Sequence, residues 1–218
     1  MIRIENVQGT GRSIDLRKVV IKLGSAVVAR PEGGFDEPVM SGIADGIARL
    51  REAGVQVILV SSGAIAMGRC QYPDFKARTI PERQALAAIG QVGLMHAYKQ
   101  LFNERGFLAA QVLLTRGDMA DRRRYLNARN ALTSLFAAGV LPIANENDTV
   151  AIEEIRFGDN DTLAALLAGL CQADLLLNLS DVDGMYTADP RHDFGARRIE
   201  VVERLTPEIE RAAAGAGN

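Results

Sequence analysis

The sequence predicts an α/β fold, a three-layer sandwich in which helices cover both faces of a mostly parallel central sheet. Two observations support this prediction. Short apolar runs alternate with longer segments of helical periodicity, which is typical of a parallel sheet covered by helices. Each run is apolar at nearly every position, as expected where both faces of a strand are buried. The predicted strands are residues 18–23, 55–61, 108–115, 140–144 and 173–180.

Between these strands, the predicted helices are residues 37–53, 81–105, 122–138 and 162–170. The second helix carries its apolar residues on one stripe, and Gly90 and Gly93 lie on the same stripe. Glycine there indicates that another backbone or a ligand comes close. No repeat or linker divides the chain, so we expect residues 1–17 to form a loosely placed amino-terminal tail and residues 18–218 to form one domain.

The composition excludes several classes of partner. The 218 residues contain 25 lysines and arginines against 27 aspartates and glutamates, a formal charge of −2, so we expect no nucleic-acid partner. The longest apolar stretch, residues 163–171, is far shorter than the roughly 20 residues of a membrane helix, so no membrane association is expected. The amino terminus lacks the apolar segment of a secretory signal, which predicts a cytoplasmic protein. Cys70 and Cys171 lie far apart, so neither a metal site nor a disulfide is expected.

The first predicted strand ends in Lys22, and Gly24 follows in the turn. Ligands of open α/β sheets bind at this carboxyl edge. A lysine beside backbone N–H groups that glycine leaves accessible suits the stabilisation of a transferring phosphoryl group. The alternative is a lysine that only extends its ammonium group into solvent at the end of a strand.

Further segments place small or polar residues at the same edge. Ser62 and Gly63 lie in a small-residue turn that opens a helix after the second strand. The free N–H groups of such a helix can bind a phosphate or carboxylate, and a close packing turn is the alternative. Residues 145–148 and 158–161 gather carboxylates and amides. Because one helix cap needs only one such residue, the excess fits recognition of an ammonium group or the holding of lysines and magnesium, with solvated loop polarity as the alternative.

Common catalytic motifs are missing from the sequence. It contains no GxxxxGK[ST] P-loop, and His96 and His192 fall outside the polar segments. A mechanism without a histidine base is therefore required. Phosphorylation of a carboxylate meets that condition, because the attacking oxygen is already ionised at neutral pH and the reaction needs only alignment and charge stabilisation.

The motifs resemble those of the amino-acid kinase family: VVIKLGSAV at the first strand, the small-residue turn after the second, and LLNLSDVDGMYTADPR at the last. Within that family, SSGAIAMGR, AAIGQ, LLTRGDMADRRRYLNARN, NENDTVA and FGDNDTLAA resemble members that phosphorylate glutamate. Together they run from about residue 18 to residue 191. The resemblance implies the amino-acid kinase fold and ATP-dependent phosphorylation of the γ-carboxylate of L-glutamate to γ-glutamyl phosphate, the first step of proline biosynthesis.

The resemblance also implies a role for each matching position. Lys22 would bind ATP phosphate and stabilise the transition state, and Asp161 would orient the catalytic lysines. Glutamate would be held by Ser62, Asp148 and Asn160, with Asp148 facing its ammonium group. The nucleotide site would comprise Lys22, Gly24, Ser180, Asp181 and Tyr186. ATP would arrive with Mg²⁺ held mainly through its phosphates, proline would act as a feedback inhibitor, and the protein would be a homo-oligomer.

The sequence ends at Asn218, where the resemblance would place a glycine-rich segment, GTGGMxTK, with a second catalytic lysine. We therefore expect a kinase domain that is incomplete at its carboxyl end, without an accessory domain of the RNA-modification type, and with slow turnover that this segment would restore. Two alternatives stay open. One is a family member that acts on aspartate, acetylglutamate or a nucleoside monophosphate, and the other is a catalytically weak protein that binds glutamate or proline. Ser62, Asp148 and Asn160 suit a zwitterion, whereas a phosphate acceptor would call for cationic groups.

Overall fold

The computed structural model describes residues 2–5, 11–151 and 160–214. The strands in these residues are β1 (Ile2–Ile4), β2 (Ile14–Leu16), β3 (Lys18–Leu23), β4 (Gln56–Ser61), β5 (Ala109–Leu114), β6 (Leu141–Glu146), β7 (Leu175–Leu179), β8 (Met185–Tyr186) and β9 (Arg198–Ile199). The helices are α1 (Ser25–Val28), α2 (Glu37–Glu52), α3 (Ala64–Gln71), α4 (Ile80–Asn103), α5 (Arg116–Ala120), α6 (Arg122–Ala137), α7 (Asn160–Cys171) and α8 (Pro207–Ala214). Among the described residues, no helix is both long enough and apolar enough to span a bilayer.

Contacts divide the chain into two units. The first contains Ile2 and residues 15–180, and the second contains the described part of residues 3–14 and 181–218. The central sheet and the helices that cover it belong to the first unit. The second unit includes the short antiparallel pair of β8 and β9.

The five predicted strands form one sheet, in the order β5-β6-β4-β3-β7, in which every pair is parallel. The predicted parallel sheet is therefore confirmed. In register, Lys22 of β3 lies between Val60 of β4 and Asn178 of β7. Because parallel strands share one direction, their carboxyl ends meet at one edge, and the polar segments that follow them come together there.

Both faces of this sheet are covered. On one face, Val20 and Val60 pack into a core with side chains from α6 and α7, among them Leu132 and Leu167. The neighbouring residue Ile21 points to the opposite face, since side chains alternate along a strand, and it is also buried. Helix α2 packs against β4, and α4 packs against β5. Burial of both sets of side chains confirms the three-layer sandwich.

The element boundaries differ from the predictions by a few residues. Strand β6 extends to Glu146 instead of ending at residue 144, so Asn145 and Glu146 are buried strand residues. Residues of low strand propensity usually mark the end of a strand, but hydrogen bonds satisfy the side chain of Asn145 inside the protein. Helix α7 begins at Asn160 instead of residue 162. The segment 1–17, expected as a loose tail, contains the short strands β1 and β2.

Helices α3 and α4 pack with their backbones in contact, and glycine makes this possible. A Cβ atom on Gly90 would overlap the backbone oxygen of Ala64, and one on Gly68 would overlap the backbone oxygen of Leu86. The close approach predicted at Gly90 is confirmed, with α3 as the approaching backbone. At Gly93 the approaching group is a side chain, that of a glutamine in α3.

Replacing Gly90 by alanine is expected to lower the free energy of unfolding by about 1–3 kcal/mol, because the added methyl group forces α3 and α4 apart. Gly42 in α2 is the matched control, since it is an exposed helical glycine with no atom within 4 Å of an added Cβ. Gly42→Ala is expected to raise the free energy of unfolding by about 0.5–1 kcal/mol. Urea denaturation measures both variants, and equal stability of the two would contradict tight packing at Gly90.

Candidate active site

The carboxyl end of β3 places Lys22 against the first turn of α7. Its Nζ atom lies 2.7 Å from Oδ1 of Asp161, and Nδ2 of Asn178 donates a hydrogen bond of 3.1 Å to the same oxygen. The side chain of Lys22 is 10% exposed, whereas that of Asp161 is 60% exposed. A nearly buried ammonium group needs such a partner, and Asp161 fixes its position at the open edge of the sheet. The structure thus brings together the two residues predicted to be catalytic.

Two of the residues predicted to bind nucleotide lie beside Lys22. The backbone N–H of Gly24 donates to the backbone oxygen of Leu179 (2.9 Å), which fixes the turn after β3 against the end of β7. A Cβ atom on Gly24 would lie 3.8 Å from Nζ of Lys22 and 3.9 Å from Cα of Ser180. Because glycine has no side chain, space next to the ammonium group stays open.

The other two predicted nucleotide residues, Asp181 and Tyr186, belong to the second unit. There the hydroxyl of Tyr186 donates to Oδ1 of Asp183 (2.8 Å), and this hydrogen bond raises the pKa of Tyr186. Arg198 lies 3.4 Å from Oδ2 of Asp183, so the pair of β8 and β9 is joined by side chains as well as by its backbone. The place of Asp181 and Tyr186 in a nucleotide site stays a prediction.

Two of the residues predicted to bind the acceptor, Ser62 and Asn160, contact each other. Nδ2 of Asn160 donates to Oγ of Ser62 (2.9 Å) and to the backbone oxygen of Ser61 (3.2 Å). Gly63 follows with φ of +106°, a left-handed conformation that favours glycine, and the chain turns there into α3. Since Asp161 follows Asn160 in the chain, the start of α7 contacts both the small-residue turn at Ser62 and Lys22.

A buried polar network connects Asn160 to helix α4 in two directions. On one side, Nδ2 of Asn160 donates to Oδ1 of Asn145 (3.0 Å), and Nδ2 of Asn145 donates to Oε1 of Gln91 (2.7 Å). On the other side, the hydroxyl oxygens of Ser61 and Tyr98 lie 2.7 Å apart. We call Gln91, Asn145, Asn160, Ser61 and Tyr98 the polar network. Both of its ends, Gln91 and Tyr98, belong to α4.

The direction of the hydrogen bond between Tyr98 and Ser61 follows from the other contact of Ser61. The hydroxyl of Ser61 donates to the backbone oxygen of Ser62 (2.8 Å), and a serine hydroxyl has a single proton to donate. The hydroxyl of Tyr98 is therefore the donor. Burial raises the pKa of Tyr98, and the bond to Ser61 opposes this shift only in part. Tyr98 thus stays protonated at neutral pH and fixes the side chain of Ser61.

Gln91 and Tyr98 carry no local signal that separates them from ordinary helix residues, since amides are common on helix surfaces and aromatic rings in cores. Asn145 lies in a polar segment that the sequence marks, but the sequence does not indicate which of its side chains is buried. The one available sign for Gln91 is its position at the end of the motif AAIGQ. Their roles depend on contacts between residues far apart in sequence, such as Gln91 and Asn145.

A cavity of about 420 Å³ lies between α4, β5 and the end of β6. Its polar lining includes Gln91, Glu146 and Asp148, and among the described residues no lysine or arginine lines it. Burial raises the pKa of Asp148 to about 6. A cavity with carboxylates and without cations attracts a positively charged group such as ammonium. Asp148, the third residue predicted to bind the acceptor, therefore lies where a cation is favoured, and Gln91 joins this cavity to the polar network.

The sequence profile of the amino acid kinase family matches residues 17–216, which is almost the whole chain. The chain belongs to the amino acid kinase family. It is 51% identical over 204 residues to a protein named glutamate 5-kinase from Geobacter sulfurreducens. It is 50% identical over 206 and 205 residues to proteins of the same name from Carboxydothermus hydrogenoformans and Ralstonia pickettii.

These alignments cover 93 or 94% of this chain but 55% of each relative. The chain therefore spans about half the length of the curated relatives it matches. In this member of the amino acid kinase family, residues from separate motifs meet at the start of α7: Lys22 of the first strand, Ser62 of the small-residue turn and Asn160 of the last polar segment. Gly158 and Asp159, the first two residues of that segment, lie outside the described residues.

Proposed function

We propose that this chain supplies the ATP-dependent phosphorylation of the γ-carboxylate of L-glutamate, which yields γ-glutamyl phosphate in the first step of proline biosynthesis. The observation that carries this proposal is the pairing of Lys22 with Asp161 at the edge of the sheet, joined by the polar network to a cavity that contains Asp148. Identity of about 50% to proteins named glutamate 5-kinase supports the same reaction.

The reaction needs charge stabilisation more than acid–base catalysis. An oxygen of the ionised γ-carboxylate attacks the γ-phosphorus of ATP, a new O–P bond forms, and the O–P bond to ADP breaks with its electrons leaving on ADP. Negative charge on the transferring group is stabilised by the ammonium group of Lys22. Asp161, itself held by Asn178, keeps that ammonium group in position.

The phosphate donor proposed here is ATP with Mg²⁺. Its phosphates would bind next to Lys22, where Gly24 leaves space, with Ser180, Asp181 and Tyr186 contributing to the nucleotide site. The described residues contain no group of three or more His, Cys, Asp or Glu that could hold a metal ion. A magnesium ion that is coordinated largely by phosphate oxygens and water needs no such group.

The acceptor proposed here is a zwitterionic amino acid. Its ammonium group would pair with Asp148, and Ser62 and Asn160 would hold the part nearer the phosphoryl group. A nucleoside monophosphate is disfavoured, because no lysine or arginine of the described residues lines the cavity. Acetylglutamate is also disfavoured, because its amide nitrogen carries no charge and would leave Asp148 without a cationic partner. Aspartate is shorter by one methylene group, so its reacting carboxylate would lie farther from Lys22 when its ammonium group pairs with Asp148.

Proline shares with glutamate an ammonium group and a carboxylate on the same carbon. It would therefore compete for Asp148, which supports proline as a feedback inhibitor of this reaction. A homo-oligomeric state and a cytoplasmic location are proposed as well, on the resemblance of the sequence motifs alone.

An assay of ADP release tests the proposed function, run on the longest natural polypeptide that contains these residues. Glutamate, aspartate, acetylglutamate and a nucleoside monophosphate serve as acceptors, and hydroxylamine traps an acyl phosphate as a hydroxamate. We expect hydroxamate with glutamate, and a kcat/KM at least roughly 10-fold lower with each of the others. Faster turnover of another acceptor would contradict the assignment of glutamate as the substrate. Calorimetric binding of glutamate without ADP release would indicate a glutamate-binding protein without kinase activity.

A further inference from the structure

We propose that Gln91 binds the α-carboxylate of the acceptor amino acid through its side-chain N–H group and thereby selects acceptors with a free α-carboxylate. This inference rests on the proposed function and adds a specificity-determining residue to it. The starting observation is that Nε2 of Gln91 is buried and has no hydrogen-bond partner among the described residues. Buried side-chain donors are nearly always paired in folded proteins, so an unpaired one next to a cavity indicates a missing acceptor.

The orientation of the Gln91 amide is fixed by its neighbours. Oδ1 of Asn145 accepts from the backbone N–H of Glu146 (2.9 Å), which can only donate, and from Nδ2 of Asn160 (3.0 Å). The other end of the Asn145 amide is therefore its NH₂ group, and Gln91 must present Oε1 to it (2.7 Å). This arrangement turns Nε2 of Gln91 away from Asn145 and leaves its protons for another acceptor.

The position of Gln91 indicates which end of the acceptor it meets. The γ-carboxylate has to reach the phosphoryl group near Lys22, which contacts Asp161 at the start of α7. Asn145 and Asn160 separate Gln91 from that point. The opposite end of glutamate, which carries the ammonium group and the α-carboxylate on one carbon, is therefore the end that lies in the cavity.

The residues that line the cavity suit the binding of an ammonium group and an α-carboxylate. Asp148 and Glu146 are acidic and Gln91 offers a neutral donor, while no lysine or arginine of the described residues lines the cavity. With Asp148 paired to the ammonium group, the α-carboxylate needs a donor within a few ångströms. The lining contains two further amides. Gln111 is exposed, so water satisfies it, and Asn147 accepts at Oδ1 from the hydroxyl of Thr149 (2.6 Å) and has no buried side-chain atom without a partner. Among the described residues that line the cavity, Gln91 is thus the buried side-chain donor whose protons have no acceptor.

The test compares L-glutamate with its α-amide, which keeps the ammonium group and the γ-carboxylate but replaces the α-carboxylate. We expect the wild-type protein to favour glutamate over the α-amide in both calorimetric affinity and kcat/KM. Gln91→Met is expected to reduce this preference by roughly 10- to 100-fold. Gln91→Glu keeps the oxygen that accepts from Asn145 and replaces the N–H donor by an oxygen, so it is expected to favour the α-amide, whose NH₂ group can donate to it. Gln100→Glu, on the exposed side of the same helix, controls for the added charge and should keep the wild-type preference.

The preference is a ratio between two ligands, so a general loss of packing does not change it. If Gln91→Met and Gln91→Glu weaken both ligands equally, Gln91 only supports Asn145 and the inference is overturned while glutamate phosphorylation stands. If Gln111→Met erases the preference in place of Gln91→Met, the exposed amide is the recognising group and the inference is again overturned. If the wild-type protein neither binds nor phosphorylates glutamate, the proposed function fails first. The KM for ATP, which should stay unchanged in every variant, reports that the folded site is intact.

Discussion

Replacing Lys22 by methionine is expected to lower kcat by roughly 100- to 1000-fold, the usual loss when one group that stabilises transition-state charge is removed. Methionine keeps most of the side-chain volume at this nearly buried position but removes the ammonium group. Asp161 loses its cationic partner but keeps the hydrogen bond from Asn178, and its side chain is 60% exposed and stays hydrated, so the fold is expected to persist. Glutamate affinity should change by no more than a few-fold, because the proposed contacts of its ammonium group lie at Asp148. The measurement is turnover at saturating ATP and glutamate, with calorimetry for affinity.

Lys18 offers a matched control for this experiment, since it lies at the other end of β3. Its Nζ atom donates to the backbone oxygen of Cys171 (2.8 Å) and lies 5.3 Å from the ring centroid of Phe136. Lys18→Met is therefore expected to cost stability but to leave kcat near the wild-type value. A Lys22→Met variant with wild-type turnover would show that another cation stabilises the transferring group, and it would remove Lys22 from the proposed mechanism.

The Asp148→Asn variant is expected to bind glutamate roughly 10- to 100-fold more weakly at pH 7.5, because a charge-assisted bond to an ammonium group becomes a neutral one. Affinity for ATP analogues should be unchanged. Asp74→Asn, which changes an exposed aspartate, is the control and should bind glutamate as the wild type does. Calorimetry measures both ligands, and an unchanged glutamate affinity would remove Asp148 from the acceptor site.

The same carboxyl group gives the wild-type protein a defined pH dependence. Burial raises the pKa of Asp148 from 3.8 to about 6, and only the ionised form pairs with ammonium. Glutamate affinity should therefore rise as pH increases through about 6 and level off above it, and binding near that pH should release protons. The Asp148→Asn variant should lack both effects. A wild-type affinity that is flat between pH 5 and 7 would contradict the placement of the ammonium group at Asp148.

Stability should depend on pH in the opposite direction. The folded protein holds a proton on Asp148 more tightly than the unfolded chain, because the folded pKa is the higher one. This contribution to stability is fully present below about pH 4 and is lost as pH rises through about 6. Above that pH, Asp148→Asn is expected to be more stable than the wild type although it binds glutamate more weakly. Urea denaturation at pH 5 and pH 7.5 measures the difference.

The central sheet could be predicted from the sequence because strands buried on both faces are apolar at nearly every position, and all five such runs are strands of the sheet. The strands β1, β2, β8 and β9 have only two or three residues each, too few for a periodic pattern. Helix α5 could have been found, since Thr115 and Asp118 form a capping box. Helix α8 likewise follows Thr206 with proline at its first position.

The candidate site likewise contains residues that could be predicted from the sequence and residues that could not. The pair of Lys22 and Asp161 was predicted through family motifs, since no physical pattern in the sequence relates two residues so far apart. The polar network was not predicted, because hydrogen bonds among Gln91, Asn145 and Tyr98 depend on how α4 packs against the sheet. That packing is decided by close contacts such as Gly90 against Ala64, of which the sequence reveals only the glycine.

Both ends of the polar network, Gln91 and Tyr98, lie on α4. The number of residues between them therefore matters as much as the identity of those residues. Gln91 and Tyr98 lie about two helical turns apart, on the same side of α4. One inserted or deleted residue between them would rotate one side chain relative to the other by about 100°, so Gln91 could no longer reach Asn145 while Tyr98 reached Ser61. Variation in chain length among natural or engineered versions should therefore occur at the ends of α4, near Thr79 or Asn103, and be absent between Gln91 and Tyr98, even where single substitutions on the exposed side of that segment are neutral.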